Sequence, residues 1–228
     1  MNVVVVLSGG LDSAVNLAWA HQEHEVCQAI TFDYGQRAGK REIEQSAKLC
    51  KHYGVPHQVI SLPFLAAWTK TALVEKKEEL PKLSLNALDD QVKTRHSAKA
   101  VWVPNRNGIF INIAAGLAES LHADGIVVGF NKEEGTTFPD NSQPFVKALN
   151  ESLFYSTWNH VQVLCRTLDC TKNEIVKLGL ELGLPFSLIW SCYMGGEVMC
   201  GECESCLRLK RAVQSQAPKL LEVLSFAH

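Results

Sequence analysis

The sequence predicts an α/β fold, with an open, doubly wound parallel β-sheet, helices on both faces and a cysteine-bearing C-terminal segment. Short apolar runs alternate with segments of helical period, which implies right-handed strand–helix–strand crossovers. The first run, Val3 to Leu7, has no polar alternation, which is typical of a strand buried on both faces. With 228 residues, 46% of them hydrophobic, the chain suffices for one well-buried domain, and we expect a single domain over 1–228.

The first half of the chain alternates predicted strands with predicted helices. Apolar composition and flanking turn residues place the strands at Val3 to Leu7, 26–35 and 56–62. Helices are predicted from Asp12 to Ala20 and over 40–54. The second ends at Gly54, a residue type that commonly follows the last helical turn.

Residues 80–100 carry many charges and little periodicity. Long stretches without secondary structure are usually functional or disordered. We therefore expect a mobile loop or lid over this range.

Beyond residue 107 the alternation resumes. Helices are predicted over 108–124 and 145–158, and short buried strands over 125–129 and 161–165. Thr171, followed three residues later by Glu174, has the pattern of a capping box and predicts a further helix that ends at Gly183.

Composition argues against several classes of protein. The formal net charge of −2 disfavours a protein whose main task is binding nucleic acid, and the local basic residues Arg208, Lys210, Arg211 and Lys219 fit a solvated helix face. No apolar run approaches the ~20 residues of a membrane span. The first apolar run lacks the preceding basic region of a signal peptide. We therefore expect a cytoplasmic protein with neither a membrane nor a nucleic-acid partner.

The stretch “SGGLDS”, residues 8–13, follows the first predicted strand, at the sheet edge where α/β proteins bind ligands. Gly9 and Gly10 permit a sharp turn and a close ligand approach, and the helix start that follows favours anions. Ser8 and Ser13 add hydroxyl donors, and Asp12 is suited to hold Mg²⁺. The motif is not a Walker A loop, and the residues alone leave a simple packing turn equally open.

Four cysteines are clustered with the spacing C-x7-C-x2-C-x2-C, at Cys192, Cys200, Cys203 and Cys206. Four thiolates complete a tetrahedral shell around Zn²⁺, so this spacing predicts a structural zinc site within an appendage over 190–216. An iron–sulfur cluster is the main alternative, and free thiols are the third. The remaining four cysteines are interpreted as small buried hydrophobic residues: Cys27, Cys50, Cys165 and Cys170.

The glycine turn resembles the PP-loop of the N-type ATP pyrophosphatases, which implies a Rossmann-like PP-loop fold that binds the pyrophosphate portion of ATP. Several blocks together resemble the 7-cyano-7-deazaguanine synthase (QueC) family of the queuosine pathway. They are “SGGLDS”, “FDYGQR” at 32–37, “VPNRNGIF” at 103–110, “FPD” at 138–140, “KNEIVKLGLELGLP” at 172–185 and “WSCY…CGECESC” at 190–206.

This resemblance implies a ligase that uses ATP and ammonia to convert 7-carboxy-7-deazaguanine into an amide and then a nitrile. It further implies Mg²⁺, structural zinc on the four clustered cysteines and a homodimer. Adenylation gives the unreactive carboxylate a leaving group, so positioning and electrostatics would carry most of the catalysis.

The resemblance also assigns residues to the site. The catalytic residues would be Ser8, Asp12, Ser13 and Arg106. ATP would contact Leu7, Ser8, Gly9, Gly10, Leu11, Asp12, Ser13, Tyr34, Gln36, Arg37 and Gly129. The acid would contact Asn105, Arg106, Asn107, Phe138, Pro139 and Asp140.

The residues themselves also allow simpler roles. Arg37 and Arg106 are candidate cationic partners, and the alternative is that they are ordinary surface arginines. Asn105 and Asn107 either position substrate or cap the following helix. Tyr34 either stacks on a purine-like ring or closes a strand end.

The stretch “GTTFPDNSQPF” departs from the family pattern, which often has Tyr-Pro-Asp-Cys-Arg. Phe138 replaces the tyrosine, and Asn141 and Ser142 replace Cys-Arg. A relative that stops at the amide, or that uses another amine, is therefore an alternative. A tRNA-thiolating PP-loop sulfurtransferase and a non-enzymatic, zinc-stabilised nucleotide-binding module are two more.

Overall fold

A computed structural model of the chain describes residues 1–75, 77–81 and 83–227. Within them, five parallel strands form one sheet in the order β3-β2-β1-β4-β5. The strands are β1 (Asn2–Val6), β2 (Glu25–Asp33), β3 (His57–Ser61), β4 (Gly125–Val127) and β5 (Gln162–Leu164). The parallel α/β sheet predicted from the sequence is confirmed.

Helices cover both faces of this sheet. They are α1 (Leu11–Glu23), α2 (Gly39–Tyr53), α3 (Pro63–Trp68), α4 (Gln91–Ala100), α5 (Arg106–Ser120), α6 (Lys132–Gly135), α7 (Gln143–Ser156), α8 (Lys172–Glu181) and α9 (Glu204–Gln216). Short 3₁₀ turns lie at Leu85–Ala87, Pro139–Asn141, Phe186–Leu188 and Pro218–Glu222. None of these helices is long and apolar enough to cross a membrane.

The burial of β1 explains its uninterrupted apolar sequence. Val3 and Val5 belong to the core on one face, with residues of α1, α8 and α9. Val4 belongs to the core on the other face, with residues of α5 and α7. Successive side chains of a strand point to opposite faces, so a strand covered on both sides has no polar position.

The strand order places a ligand site beside β1. The chain builds β1, β2 and β3 outwards in one direction and then crosses to β4 on the opposite side of β1. Ligands of open α/β sheets bind outside the carboxyl ends of the strands where the order reverses. The turn after β1 and the turn after β4 meet at this point.

The expectation of an irregular loop over 80–100 is wrong for half of the range, because residues 91–100 form α4. Asp90 caps this helix, its side chain accepting hydrogen bonds from the backbone N–H groups of Val92 and Lys93. The buried face is formed by Thr94, Ser97 and Ala98. Small and polar residues on a buried face leave no apolar stripe, so the helix gave no periodic signal.

The capping box at the start of α8 is confirmed, with Thr171 and Glu174 bonded reciprocally. The helix ends at Glu181, and Gly183 follows with a φ of 67°. Helix α9 packs beside α8, and its residues Leu209 and Val213 share the buried core that contains Val3 of β1. The cysteine-bearing segment is thus packed into the core of the α/β unit.

Candidate active site

The glycine turn after β1 is closed by its two serines. The Ser8 and Ser13 hydroxyl oxygens lie 3.1 Å apart, and the Ser8 backbone N–H donates to the Ser13 hydroxyl at 3.2 Å. Gly9 has a φ of 74°, a left-handed conformation that glycine adopts without strain. Gly10 then caps α1, whose first backbone N–H groups face the ligand site.

The end of β4 lies directly against the start of α1. A Cβ atom built on Gly129 would lie 2.5 Å from the Ser13 backbone nitrogen and 2.6 Å from its Cα. Glycine is therefore required sterically at position 129, because side-chain atoms are excluded by the backbone of the turn.

A cavity of about 240 Å³ opens at this junction. It brings together eleven of the residues that the resemblance assigned, which are Leu7, Ser8, Gly10, Leu11, Asp12, Ser13, Tyr34, Arg106, Asn107, Gly129 and Phe138. Residues far apart in the chain thus meet in one cavity at the point where the strand order reverses.

Gln36 and Arg37, both expected at the nucleotide, do not line this cavity. The buried Gln36 side chain accepts from the Tyr34 backbone N–H and donates to the Phe32 carbonyl, so it braces the turn after β2. The Arg37 guanidinium donates to the backbone carbonyls of Glu75, at 2.6 Å, and Glu78. Arg37 is therefore directed away from the cavity by these carbonyl acceptors.

Asn105, Pro139 and Asp140 also lie outside the cavity lining, as does Gly9. Asn105 precedes α5 with a φ of 54°, and its side chain makes no capping hydrogen bond. The Asp140 backbone carbonyl accepts from the Asn107 side chain at 3.2 Å. Asp140 thus supports the Asn107 side chain through its backbone, while Asn141 of the same turn lines the cavity.

Lys172 is the main site residue that the sequence reasoning missed. Its ammonium donates to a carboxylate oxygen of Asp12 and, at 2.9 Å, to one of Glu134. The Lys172 and Asp12 side chains are only 12% and 13% exposed. The sequence indicates Lys172 only by its position. It is the first residue of the predicted helix α8, which follows shortly after the predicted strand β5.

Burial and charge oppose each other in this group. Burial alone would lower the pKa of Lys172, but the Asp12 and Glu134 carboxylates outweigh it and raise the pKa above its ordinary value. Burial raises the pKa of Asp12, an effect that Lys172 only partly offsets. For Glu134, Lys172 outweighs burial, and the pKa is lowered. Lys172 is therefore a fixed positive charge in the cavity wall.

Arg106 provides a second buried cation. Its guanidinium donates to the Tyr34 hydroxyl at 3.2 Å and lies 5.8 Å from the centre of the Tyr34 ring. Burial alone would lower the pKa of Arg106, but Tyr34 and Asp140 more than offset it, and the pKa is raised. The cavity thus contains two permanent positive charges, on Lys172 and Arg106.

Further cavity residues were not predicted, among them Glu42, Trp190 and Tyr193. Burial raises the pKa of the Glu42 carboxyl, which accepts from Gln36 at 2.8 Å. The Trp190 backbone N–H donates to the Gly9 carbonyl at 2.7 Å. The segment that leads to the cysteines therefore contacts the glycine turn directly.

The sulfur atoms of Cys192, Cys200, Cys203 and Cys206 all lie within 4.8 Å of one another. Backbone N–H groups of Met194 and Cys200 point at the Cys192 sulfur, each at 3.3 Å. These N–H contacts stabilise negative charge on sulfur, and four converging sulfurs form a group able to hold a metal ion.

Hydrogen bonds within the cysteine group shift the pKa values of its thiols in opposite directions. A hydrogen bond with Cys203 lowers the pKa of Cys192, and hydrogen bonds with Cys192 raise the pKa of both Cys203 and Cys206. Four adjacent thiolates repel one another, so a cation is needed for all of them to be deprotonated together.

Comparisons with known proteins agree with this geometry. The sequence model described as “Queuosine biosynthesis protein QueC” matches residues 2–217. The chain is 54% identical to a 7-cyano-7-deazaguanine synthase of Pelotomaculum thermopropionicum, covering 96% of this chain and 100% of that protein. It is 52% identical to the Bdellovibrio bacteriovorus protein of the same name, covering 93% of each chain.

A solved structure shows the same fold at lower similarity. The 4-thiouridine synthetase in an RNA complex with bound ATP aligns with a TM-score of 0.51 at 17% identity, covering 97% of this chain and 52% of that one. It supports the PP-loop fold expected from the glycine turn. The extent of the family match and the identity to the named synthases settle the affiliation, and the chain belongs to the QueC family of queuosine biosynthesis proteins.

Proposed function

We propose that this chain is an ATP-dependent carbon–nitrogen ligase that converts 7-carboxy-7-deazaguanine and ammonia into 7-cyano-7-deazaguanine. The observation that carries the proposal is the cavity where the strand order reverses, in which the glycine turn meets Lys172 and Arg106. Relatives about half identical over most of the chain bear the name 7-cyano-7-deazaguanine synthase. A tRNA-thiolating enzyme, an enzyme that stops at the amide and a non-enzymatic module are not favoured by these relatives.

The glycine turn would bind the pyrophosphate portion of ATP. Ser8 and Ser13 supply hydroxyl donors beside the backbone N–H groups that begin α1, and Lys172 supplies a positive charge at the same wall. Pyrophosphate accumulates negative charge as it leaves the α-phosphorus. Donors and cations already oriented towards this position stabilise the transition state more than the ground state.

The donor set also fits Mg²⁺. The Oδ1 atom of Asp12 is buried and has no hydrogen-bond partner among the described residues, although Oδ2 of the same carboxylate has two. Mg²⁺ commonly binds one or two carboxylates together with substrate phosphates. Asp12, with Glu134 beside it, would hold the ion, which would neutralise charge on the phosphates.

Arg106 would orient the acid. Its buried guanidinium lies in the cavity wall and is suited to pair with a carboxylate. A carboxylate oxygen attacks the α-phosphorus of ATP, the bond to the bridging oxygen of pyrophosphate breaks, and an acyl adenylate forms. Ammonia then attacks the acyl carbon, AMP leaves with the transferred oxygen, and loss of a proton gives the amide. The amide oxygen then attacks the α-phosphorus of a second ATP, with release of pyrophosphate, and departure of AMP with loss of both protons on nitrogen yields the nitrile.

We propose zinc as the metal of the cysteine group, in a structural role. Four sulfur ligands complete a tetrahedral shell and leave no position for a reacting molecule. The group lies outside the cavity lining, which agrees with stabilisation of the fold. By the family resemblance we further propose a cytoplasmic homodimer, testable by light scattering, which should give about twice the chain mass of 25.2 kDa.

Isotope tracing tests the reaction directly. The protein is incubated with ATP, ammonium and ¹⁸O-carboxyl-labelled 7-carboxy-7-deazaguanine, and the products are analysed by mass spectrometry. We expect the nitrile, pyrophosphate, and AMP that carries the label, none of them in the absence of the acid. The Asp12→Asn variant provides a matched control, because it keeps the size of the side chain and removes its charge.

A different distribution of label would overturn the proposal. Label in inorganic phosphate with ADP as co-product would mean that the γ-phosphorus is attacked. Accumulation of the amide with no nitrile would assign an amide synthetase. Label in AMP with neither amide nor nitrile formed would leave adenylation but remove the ligase assignment.

A further inference from the structure

A second cavity, of about 520 Å³, adjoins the first. Its walls include Arg95 and Lys99 of α4, Trp102 between α4 and α5, and Phe138 before the 139–141 turn. Phe138 also lines the first cavity, so the two share one aromatic wall. The second cavity is therefore a neighbouring compartment of the same site.

The proposed reaction needs space for two ligands at once. The first cavity, at about 240 Å³, is smaller than the 300–1,000 Å³ or so of typical ligand pockets. ATP would occupy the part of it beside the glycine turn and Lys172, which leaves the part beside Arg106 for the carboxylate of the acid. The bicyclic acid must then lie next to the nucleotide, with its carboxylate within reach of the α-phosphorus. The compartment behind Phe138 meets this requirement.

The aromatic walls of the second cavity are suited to a flat heterocycle. The Trp102 and Phe138 rings are nearly parallel, with an angle of 13° between their planes and 6.3 Å between their centres. Both side chains are partly exposed to the cavity. Aromatic faces bind planar bases by stacking, and Trp and Phe supply this surface with little loss of side-chain freedom.

Two cations lie at the entrance. Arg95 and Lys99 are one helical turn apart on α4, so they project from the same face. Both are exposed, and neither forms an ion pair with any of the described residues. Unpaired cations at the mouth of a cavity attract anions and raise their local concentration.

We propose that Trp102 and Phe138 bind the flat bicyclic ring of the acid substrate, while Arg95 and Lys99 attract its negative charge at the entrance. The carboxylate then extends into the first cavity, which contains Arg106. This assignment rests on the proposed function and adds Trp102, Arg95 and Lys99 to its specificity-determining residues.

The test compares Trp102→Ala with Trp102→Phe and Trp68→Ala. Trp68 is 73% exposed at the end of α3 and lies outside the lining of both cavities, so it is a matched aromatic control. We expect Trp102→Ala to raise the KM for the acid by about tenfold to a hundredfold. The KM for ATP should change less than threefold or so, and Trp102→Phe should restore most of the affinity for the acid.

Calorimetric binding of the acid, and separately of a non-hydrolysable ATP analogue, accompanies the kinetics. If Trp102→Ala weakens both ligands equally while Trp102→Phe restores neither, the role is structural and the proposal is wrong. An unchanged KM for the acid in Trp102→Ala also overturns it. Failure of the wild type to form the nitrile, while it still binds the acid in a Trp102-dependent way, would instead refute the proposed function.

A second experiment tests the two entrance cations separately from the Trp102 ring. The double variant Arg95→Gln, Lys99→Gln should weaken binding of the anionic acid, with a difference from wild type that shrinks as salt rises. Binding of the uncharged nitrile product should change little. If the double variant weakens binding of the acid and of the nitrile equally, Arg95 and Lys99 do not attract the acid by its charge, and that part of the proposal is wrong.

Discussion

Lys172 is a buried cation held by two acids, Asp12 and Glu134, that come from different parts of the chain. Each carboxylate is desolvated, and each depends on the same ammonium for compensation. Removing the central member of such a group leaves buried charge without a partner, which costs more than the group itself contributes. We therefore expect Lys172 to affect both catalysis and stability.

We expect Lys172→Gln to lower the rate of AMP formation by about a hundredfold or more, comparable to losing an oxyanion donor. The free energy of unfolding should fall by about 3–5 kcal/mol, because Asp12 and Glu134 lose their partner. Single-turnover kinetics and urea unfolding measure the two effects. Lys177→Gln, on the same helix with a 70% exposed side chain, should leave both near wild type, and equal losses in the two variants would contradict the assignment.

His57 gives the fold a separate pH dependence. Its Nε2 atom lies 2.8 Å from the Thr31 hydroxyl, which donates to the Leu7 carbonyl beside the glycine turn. Burial lowers the pKa of His57, so the unfolded chain binds this proton more readily than the folded chain. Between the ordinary pKa of about 6.5 and the lowered folded value, the unfolded state holds more protons, and stability falls as the pH falls.

The contribution of His57 to the pH dependence of stability is the difference between the wild type and the His57→Gln variant. We expect the wild type to lose stability relative to His57→Gln as the pH is lowered from about 7.5 to 5.5, since only the wild type can take up the proton on unfolding. Thermal unfolding at several pH values measures this difference. A difference that does not vary with pH would show that His57 titrates alike in both states.

The predicted residues that line the cavity include several whose motifs are contiguous in the chain. Ser8, Asp12 and Ser13 fall within one short motif, and Arg106 falls within “VPNRNGIF”. Lys172 lies 160 residues from Asp12, and only the fold brings them together. A buried lysine after a capping residue has no local pattern that distinguishes it from a solvated one.

The contact between β4 and α1 positions the glycine turn. Gly129, two residues after the end of β4, admits the Ser13 backbone where any larger residue would collide with it. The turn is therefore held by two elements at once, β1 through the chain and β4 through this contact.

Gly129→Ala should displace the start of α1, destabilise the protein by about 1–3 kcal/mol and reduce ATP affinity, because its Cβ would lie 2.5 Å from the Ser13 nitrogen. Calorimetric binding of ATP and thermal unfolding test this. Gly116→Ala is the control: a Cβ there meets nothing within 4 Å, and alanine favours helix α5 by about 0.5–1 kcal/mol. Unchanged ATP affinity in Gly129→Ala would refute the steric argument.

Elements with an apolar stripe or run were predictable, and α4 was not. The β1 sequence has one apolar residue after another because both of its faces are covered. Helix α4 instead buries Thr94, Ser97 and Ala98, and much of its stability comes from contacts that the sequence does not reveal. One of these is the Ser97 hydroxyl, which donates to the Glu204 carboxylate of α9.

In the whole molecule, the cysteine group and the α/β core form one packed unit. Cys192, Cys203 and Cys206 are themselves buried in the core that contains β1 and α8.

We predict that the protein binds about one Zn²⁺ per chain. The Cys200→Ser variant should lose the metal, and its melting temperature should fall by several degrees, at roughly 2–4 °C per kcal/mol for a chain of this size. Elemental analysis and calorimetry measure both. Cys27→Ser, outside the group, should keep the metal, and iron in place of zinc would overturn the assignment.

The contacts of α9 have a thermodynamic consequence. Cys206 lies in the first turn of α9, whose Glu204 and Arg208 contact Ser97 and the Leu88 carbonyl in and before α4. Metal bound at the cysteines and acid bound beside α4 would therefore stabilise the same packed arrangement from opposite ends. Linkage between two binding equilibria is reciprocal, so the acid should raise the affinity for the metal, measured at equilibrium against a competing chelator, by the factor by which the metal tightens the acid. A protein that is short of metal would then bind its organic substrate more weakly.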